Sequence, residues 1–277
     1  MNTRRLISTT MSALTCVAAI VAVLPLLLIF GFLLVKGASA VSVDFFLHLP
    51  KPVGEPGGGV ANAIVGSLIM IGLAVVVGLP IGIAGGVYLA DSRDRHLPWA
   101  VRFIADVLNG VPSIVVGIFA YTLVVLPMRR FSALAGGLAL GFILIPIVLR
   151  TTEEMVRLVP NALREAGLGL GIPRWRVTLR IVLPSARAGI LTGVMVAVAR
   201  IAGETAPLLF TALGNRFWHQ GLDQPIAALP LQIYAYAISP YDDWHRQAWA
   251  GALVLITLVF LASFAARVAT RGRTIAR

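Results

Sequence analysis

The chain has a single cysteine, Cys16, set in an apolar run, which excludes an internal disulfide and a cysteine-built metal site. Lysine is almost as rare, with only Lys36 and Lys51, and no GxxxxGK(S/T) stretch occurs. The chain therefore lacks the usual loop for binding and hydrolysing ATP. Four histidines (His48, His96, His219 and His245) are scattered without HExxH spacing. GxSxG and paired-aspartate motifs are missing too. No catalytic residue and no metal ligand can be assigned, so the chain reads as a non-enzyme without a cofactor of its own.

Charge is also scarce. Only 13% of the 277 residues are charged and 58% are hydrophobic, about half the charge of an ordinary soluble domain. Mean hydropathy is +0.89. The apolar residues come in runs at 13–35, 61–90, 101–127, 133–150, 187–213 and 247–268. Each is near or above the roughly 20 residues that a helix needs to cross a bilayer. This predicts an all-α integral membrane protein with about six transmembrane helices.

Of the charges present, 23 are Lys or Arg and 12 are Asp or Glu, for a net charge of +11. Such a balance is common in nucleic-acid binders, but here the basic residues cluster at the ends of apolar runs. The partner they imply is a lipid bilayer, not a nucleic acid. Sixteen lie on one set of alternate connections, seven of them from Arg150 to Arg187, and six lie on the other. The positive-inside rule makes the richer side cytoplasmic and places both termini there. Arg4, Arg5, an apolar stretch and Ala38-Ser39-Ala40 mimic a signal peptide. At about 23 residues the stretch exceeds the 7–15 of such a segment, so we read an uncleaved first span.

Two outer segments stand out. Residues 37–60 are rich in Pro and Gly, and 214–246 carry Phe217, Trp218, Tyr234, Tyr236, Tyr241 and Trp244. The aromatics fit either a belt at the membrane interface or a docking surface for an external partner.

Inside the spans, Gly78, Gly82 and Gly86 fall on one helix face, where a neighbouring backbone can approach closely. Pro25, Pro80, Pro112, Pro146 and Pro207 also fall within apolar runs, as membrane helices allow when neighbours satisfy the freed carbonyls. Asn109-Gly110-Val111-Pro112-Ser113 interrupts the third run. It reads as a proline kink with a satisfied asparagine, or as a helix restart aiming free amides at an anion. In the fifth run Arg200 and Glu204 are four apart, on one face if the helix continues. Counted from Ala188, Arg200 lies about 18 Å along the helix, near the bilayer middle. A charge at that depth faces a bundle interior or an aqueous cavity. The pair fits either a structural ion pair or an arginine that meets an oxyanion while Glu204 holds it.

The connection 150–187 is the most informative. It reads as two short helices broken at Gly171-Ile172-Pro173 and contains Glu165-Ala166-Gly167, Gly171 and Ile181-Val182-Leu183-Pro184. This resembles the EAA motif of ABC importer permeases, with every spacing matched and one departure, Gly167 for the usual Ala. Three further stretches, Glu55–Gly66, Gly110–Gly117 and Ala202–Thr211, make the chain similar along nearly its whole length to phosphate-transport permeases of the PstA type.

That resemblance implies a type I (MetI-like) permease fold in a bacterial plasma membrane. It divides the chain into a first span with its tip (1–36), an outer loop (37–60), a permease core (61–270) with the coupling loop 150–187, and a tail (271–277). It implies a homologous second permease of the PstC type, an ATP-binding subunit dimer and an extracytoplasmic phosphate-binding protein. ATP is then used by the partner. Glu165, Ala166, Gly167, Gly171, Ile181, Leu183 and Pro184 become candidate coupling residues. Arg200, Glu204, Thr205, Asn109 and Ser113 become candidate pathway residues. Phosphate rests on the resemblance alone. Phosphonate, sulfate or molybdate importers, or a membrane sensor of phosphate status, remain the alternatives.

Overall fold

Helices are the only regular structure among the described residues, apart from a single bridge between Leu213 and Ile226. The computed structural model describes residues 3–53, 55, 57–92, 94 and 96–271. Gly54 and Pro56 of the outer loop, Arg93 and Arg95 of the charge count, and residues 272–277 of the tail lie outside the described residues.

The helices are α1 (Thr3–Gly37), α2 (Val43–Leu47), α3 (Ala61–Asp91), α4 (His96–Gly110), α5 (Ser113–Ala120), α6 (Leu126–Met128) and α7 (Ala133–Arg157). They continue with α8 (Asn161–Gly169), α9 (Arg174–Val177), α10 (Leu183–Ala202), α11 (Ala206–Leu209), α12 (Leu229–Ala237) and α13 (Asp242–Arg271). Among the described residues, five helical stretches are long and apolar enough to cross a membrane, and a sixth counts if the bent α4–α5 pair is one span.

Helix α7 is the centre of the bundle. Two-thirds of its most apolar window is buried, against 6% for α1, which lies at the periphery. Ser132 caps α7 by accepting from Ala135 N, satisfying one of the free amides at its start. Helices α3 and α7 form the main pair. The glycine stripe of α3 lies on α7: Cβ atoms added at Gly78 and Gly82 would meet Leu144 and Val148 at 2.9 and 2.8 Å. At Gly86 a Cβ would come within 2.5 Å of Leu149 O. Met70 meets Gly136 and Leu73 meets Gly137, so the two helices run parallel. On the other side Gly193 and Gly189 of α10 press on Thr151 and Met155 of α7, so that contact is antiparallel. Helix α1 reaches the bundle mainly through α13, where Phe32 meets Trp249 edge-on at 5.1 Å.

Proline explains where helices change form. It offers no N–H and its ring crowds the carbonyl four residues back. Pro127 and Pro184 would collide at Leu123 and Arg180, and each of these lies in a single π-helical turn, Tyr121–Val125 and Thr178–Val182. Widening the ladder lets the helix pass the ring. Pro112 caps the start of α5 and Pro207 lies in the first turn of α11, so neither is interior to a helix.

Several boundaries differ from the sequence estimate. The third run is two helices bent by 107° at the 109–113 interruption. The helical stretch that contains the fifth span begins at Arg174, so Ile181 to Pro184 are part of it. It stops at Ala202 because Gly203 ends the helix and Pro207 opens a new one. The segment 214–246 is not at the surface throughout: Ile226 to Leu229 are buried, and Leu229 N donates to Ser67 Oγ at 2.7 Å.

Candidate functional site: coupling surface and pathway residues

Helix α8 is exposed over most of its surface. Glu165 and Ala166 are exposed, together with Leu163, Leu168 and Leu170, the last 80% accessible. Gly167 is buried, and a Cβ there would meet Ile181 Cδ1 at 2.9 Å and Val177 Cγ2 at 3.0 Å. The missing methyl therefore lets α8 sit closer to the segment that follows it. Gly171 has φ +74, a left-handed conformation that glycine adopts without the usual steric cost. Its N–H closes the end of α8 by donating to Leu168 O at 2.9 Å. Ile181 and Leu183 pack against the main core, and Pro184 opens α10.

Arg164 faces inward from α8. It pairs with Asp91, the last residue of α3, and donates to Val156 O on α7 at 3.0 Å. The second carboxylate oxygen of Asp91 accepts from Thr178 Oγ1.

A denser ionic cluster lies beside it. Glu153 on α7 is 1% exposed and pairs with Arg102 at 2.6 Å and with Arg150 and Arg157 at 2.8 Å. Arg150 also pairs with Asp106 at 3.0 Å, and Arg102 donates to Leu89 O at 2.9 Å. The cluster joins α3, α4 and α7. Sequence reasoning missed Glu153 and Asp91 and used Arg102, Arg150 and Arg157 only for topology. The signal available was the spacing Arg150, Glu153, Arg157, which puts opposite charges on one helix face.

The candidate pathway residues are arranged differently from the helical expectation. Arg200 is in the last turn of α10, whereas Glu204 and Thr205 follow its end. The helix does not carry both charges on one face. They still approach, at 3.9 Å, with Arg200 52% exposed and Glu204 17%. A contact of that length, half in the open, holds the arginine weakly. Arg200 also favours the C-terminal end of the helix dipole. Asn109 is in the last turn of α4 and Ser113 is the first residue of α5. Gly117, one turn beyond Ser113, packs on Pro207, where a Cβ would reach Pro207 Cα at 2.5 Å. The restarted helix α5 and the Glu204–Pro207 link are thus neighbours.

The aromatics of residues 214–246 divide. Tyr236 and Trp244 stack at 4.7 Å, Tyr241 meets Trp244 edge-on, and Arg216 lies 5.3 Å over the Trp244 ring. Burial pushes the Tyr236 phenol above its ordinary pKa, with Gln232 and Arg216 opposing. Phe217 and Trp218 remain exposed.

Residues 82–274 match the model of the family described as binding-protein-dependent transport system inner membrane component. This chain belongs to that family. The permease is 49% identical over 266 residues to a phosphate transport system permease protein PstA of Xylella fastidiosa (strain 9a5c), covering 95% of this chain and 92% of the relative. It is 50% identical over 234 residues to a PstA of Yersinia pestis, covering 84% and 79%. A probable PstA of Methanocaldococcus jannaschii is 37% identical over 246 residues, covering 88% and 86%. Among solved structures, an inward-facing MetNI methionine ABC transporter aligns with TM-score 0.61 at 19% identity, covering 77% of this permease and 94% of that chain. A bacterial ABC transporter for the polysaccharide alginate aligns at 0.55 and 15%, covering 98% and 97%. At these identities the likeness establishes the fold, that of MetI-like importer permeases.

Proposed function

We propose that this permease is the transmembrane subunit of an ATP-driven inorganic phosphate importer, paired with a PstC-type permease and driven by a separate ATPase dimer. The observation that carries phosphate is the similarity to PstA permeases along nearly the whole chain. In this reading the loaded binding protein docks outside, and ATP closes the nucleotide-binding subunits against the exposed face of α8. The spans then open, phosphate passes, and hydrolysis resets the complex. Both termini are cytoplasmic.

Arg200 meets the anion, supported by its exposure and its loose pairing. Glu204 and Thr205 orient it, and the start of α5 at Ser113, next to Asn109, offers free amides. Glu165, Ala166, Gly167 and Gly171 shape the ATPase contact, while Ile181, Leu183 and Pro184 seat it under the bundle. The test is co-purification of the complex, then ATP-dependent phosphate uptake in proteoliposomes with the binding protein supplied. Uptake is expected, and its absence would reject the proposal. Glu165→Lys and Gly171→Asp should leave the permease inserted but lower ATPase recovery in a pull-down. Normal recovery would count against the coupling role.

A further inference from the structure

The coupling segment is a short helix with little apolar area turned towards the bundle. Helix α8 has nine residues, and among the described residues only Gly167 on it is fully buried. A helix this short does not hold an orientation through its own hydrogen bonds. Its angle must be set by side chains that tie it to longer elements.

One carboxylate does this. Asp91 closes α3, and its two oxygens are divided between the two arms of the connection: Arg164 on α8 takes one and Thr178, just after α9, takes the other. Arg164 is itself bidirectional, since its second nitrogen reaches Val156 O near the end of α7. Arg164 directly precedes Glu165, so the inward anchor and the outward docking face are consecutive residues on one turn. The Arg164 side chain is mostly shielded, at 19% exposed, and that of Asp91 is one-third exposed. A charged hydrogen bond in such a setting is stronger and more directional than a surface ion pair.

We infer that Asp91 is the positioning residue that transmits movement of the ATPase-docking helix to the membrane spans. It rests on the coupling reading above. When the ATPase moves α8, Arg164 pulls on Asp91 and so on α3. Thr178 keeps the second arm in step, and the Val156 contact engages α7. Without the carboxylate, α8 can still present its exposed face and bind the ATPase, but its displacement is absorbed in the connection.

The test uses the complete complex in proteoliposomes, with inorganic phosphate as the transported probe. Phosphate imported per ATP hydrolysed is measured alongside ATPase recovered per permease. Asp91→Asn preserves shape and a bond to Thr178 but removes the charge facing Arg164. It should retain the ATPase while phosphate moved per ATP falls about tenfold, the scale of one lost charge-assisted hydrogen bond. Asp91→Glu should recover part of that ratio. Arg164→Gln should lower it similarly, and the double variant should be no worse than either single one, as for residues acting as one unit. An unchanged ratio in Asp91→Asn would overturn the inference. So would additive losses in the double variant, or loss of ATPase recovery in proportion to uptake, which would make Asp91 merely a folding contact. Glu165→Lys, run in parallel, separates the two claims. If it releases the ATPase while Asp91→Asn couples normally, only the role of Asp91 falls; if it retains the ATPase, the coupling reading falls.

Discussion

Two ionic systems in this permease follow different rules. Around Glu153, three arginines converge on a buried carboxylate at hydrogen-bonding distance. In the last turn of α10, Arg200 has one contact of 3.9 Å and stands half in the open. A buried charge with several partners is a fixed part of the architecture, because removing one partner strands the rest. An exposed arginine with one distant partner costs little to redirect. The first system holds helices together, and the second is the loosely held arginine that the proposed function assigns to the anion.

The contrast can be tested from both sides. The largest effect is expected from Glu153→Ala, which leaves three arginines without their shared acceptor and should cost about 3–5 kcal/mol. Thermal unfolding of the purified complex measures it, and an unchanged midpoint would erase the distinction. Arg200→Ala should do the reverse. Its unfolding midpoint should barely move, with a stability change under about 1 kcal/mol. Uptake should fall roughly 10- to 100-fold, as for a lost hydrogen bond to a charged group. Wild-type uptake would remove Arg200 from the pathway.

Gly86→Ala approaches the Glu153 cluster from α3. The added methyl would lie 2.5 Å from Leu149 O and 2.9 Å from Glu153 N, and overpacking of this kind costs about 1–3 kcal/mol. A stable, fully active variant would show that the two helices are less closely fitted than described. The smallest structural effect belongs to Glu204→Gln, below about 1 kcal/mol. If its uptake nevertheless falls with that of Arg200→Ala, orientation of the arginine is the shared cause. Full uptake would leave Glu204 as a bystander.

The spans were legible because hydropathy is a property of consecutive residues. The glycines of α3 were legible as a packing face for the same reason. The interruption at Pro112 was visible, but not that it turns the chain by 107°. Glu153 was harder to read because one of its partners, Arg102, is 51 residues away and on another helix. Asp91 looked like the polar end of an apolar run, since Arg164 and Thr178 join it only through folding. The expected Arg200–Glu204 face failed on one residue. Gly203 sits in an apolar context that resembles continuing helix, yet the chain leaves the helix there. The buried stretch at Ile226–Leu229 was masked by the polar and aromatic residues on either side of it.

The parallel seam of α3 and α7 has a mechanical consequence. Helix α3 has 31 residues, a length of about 46 Å, and its glycines fit closely against α7. A tilt of about 10° at the Asp91 end then sweeps the opposite end through roughly 8 Å for a rod of that length. At that opposite end Asn62 holds the backbone of Asn215 and Ser67 holds that of Leu229. If the coupling segment moves α3 as inferred above, helix length alone turns a modest stroke at Asp91 into a wide one at the end that holds Asn215 and Leu229.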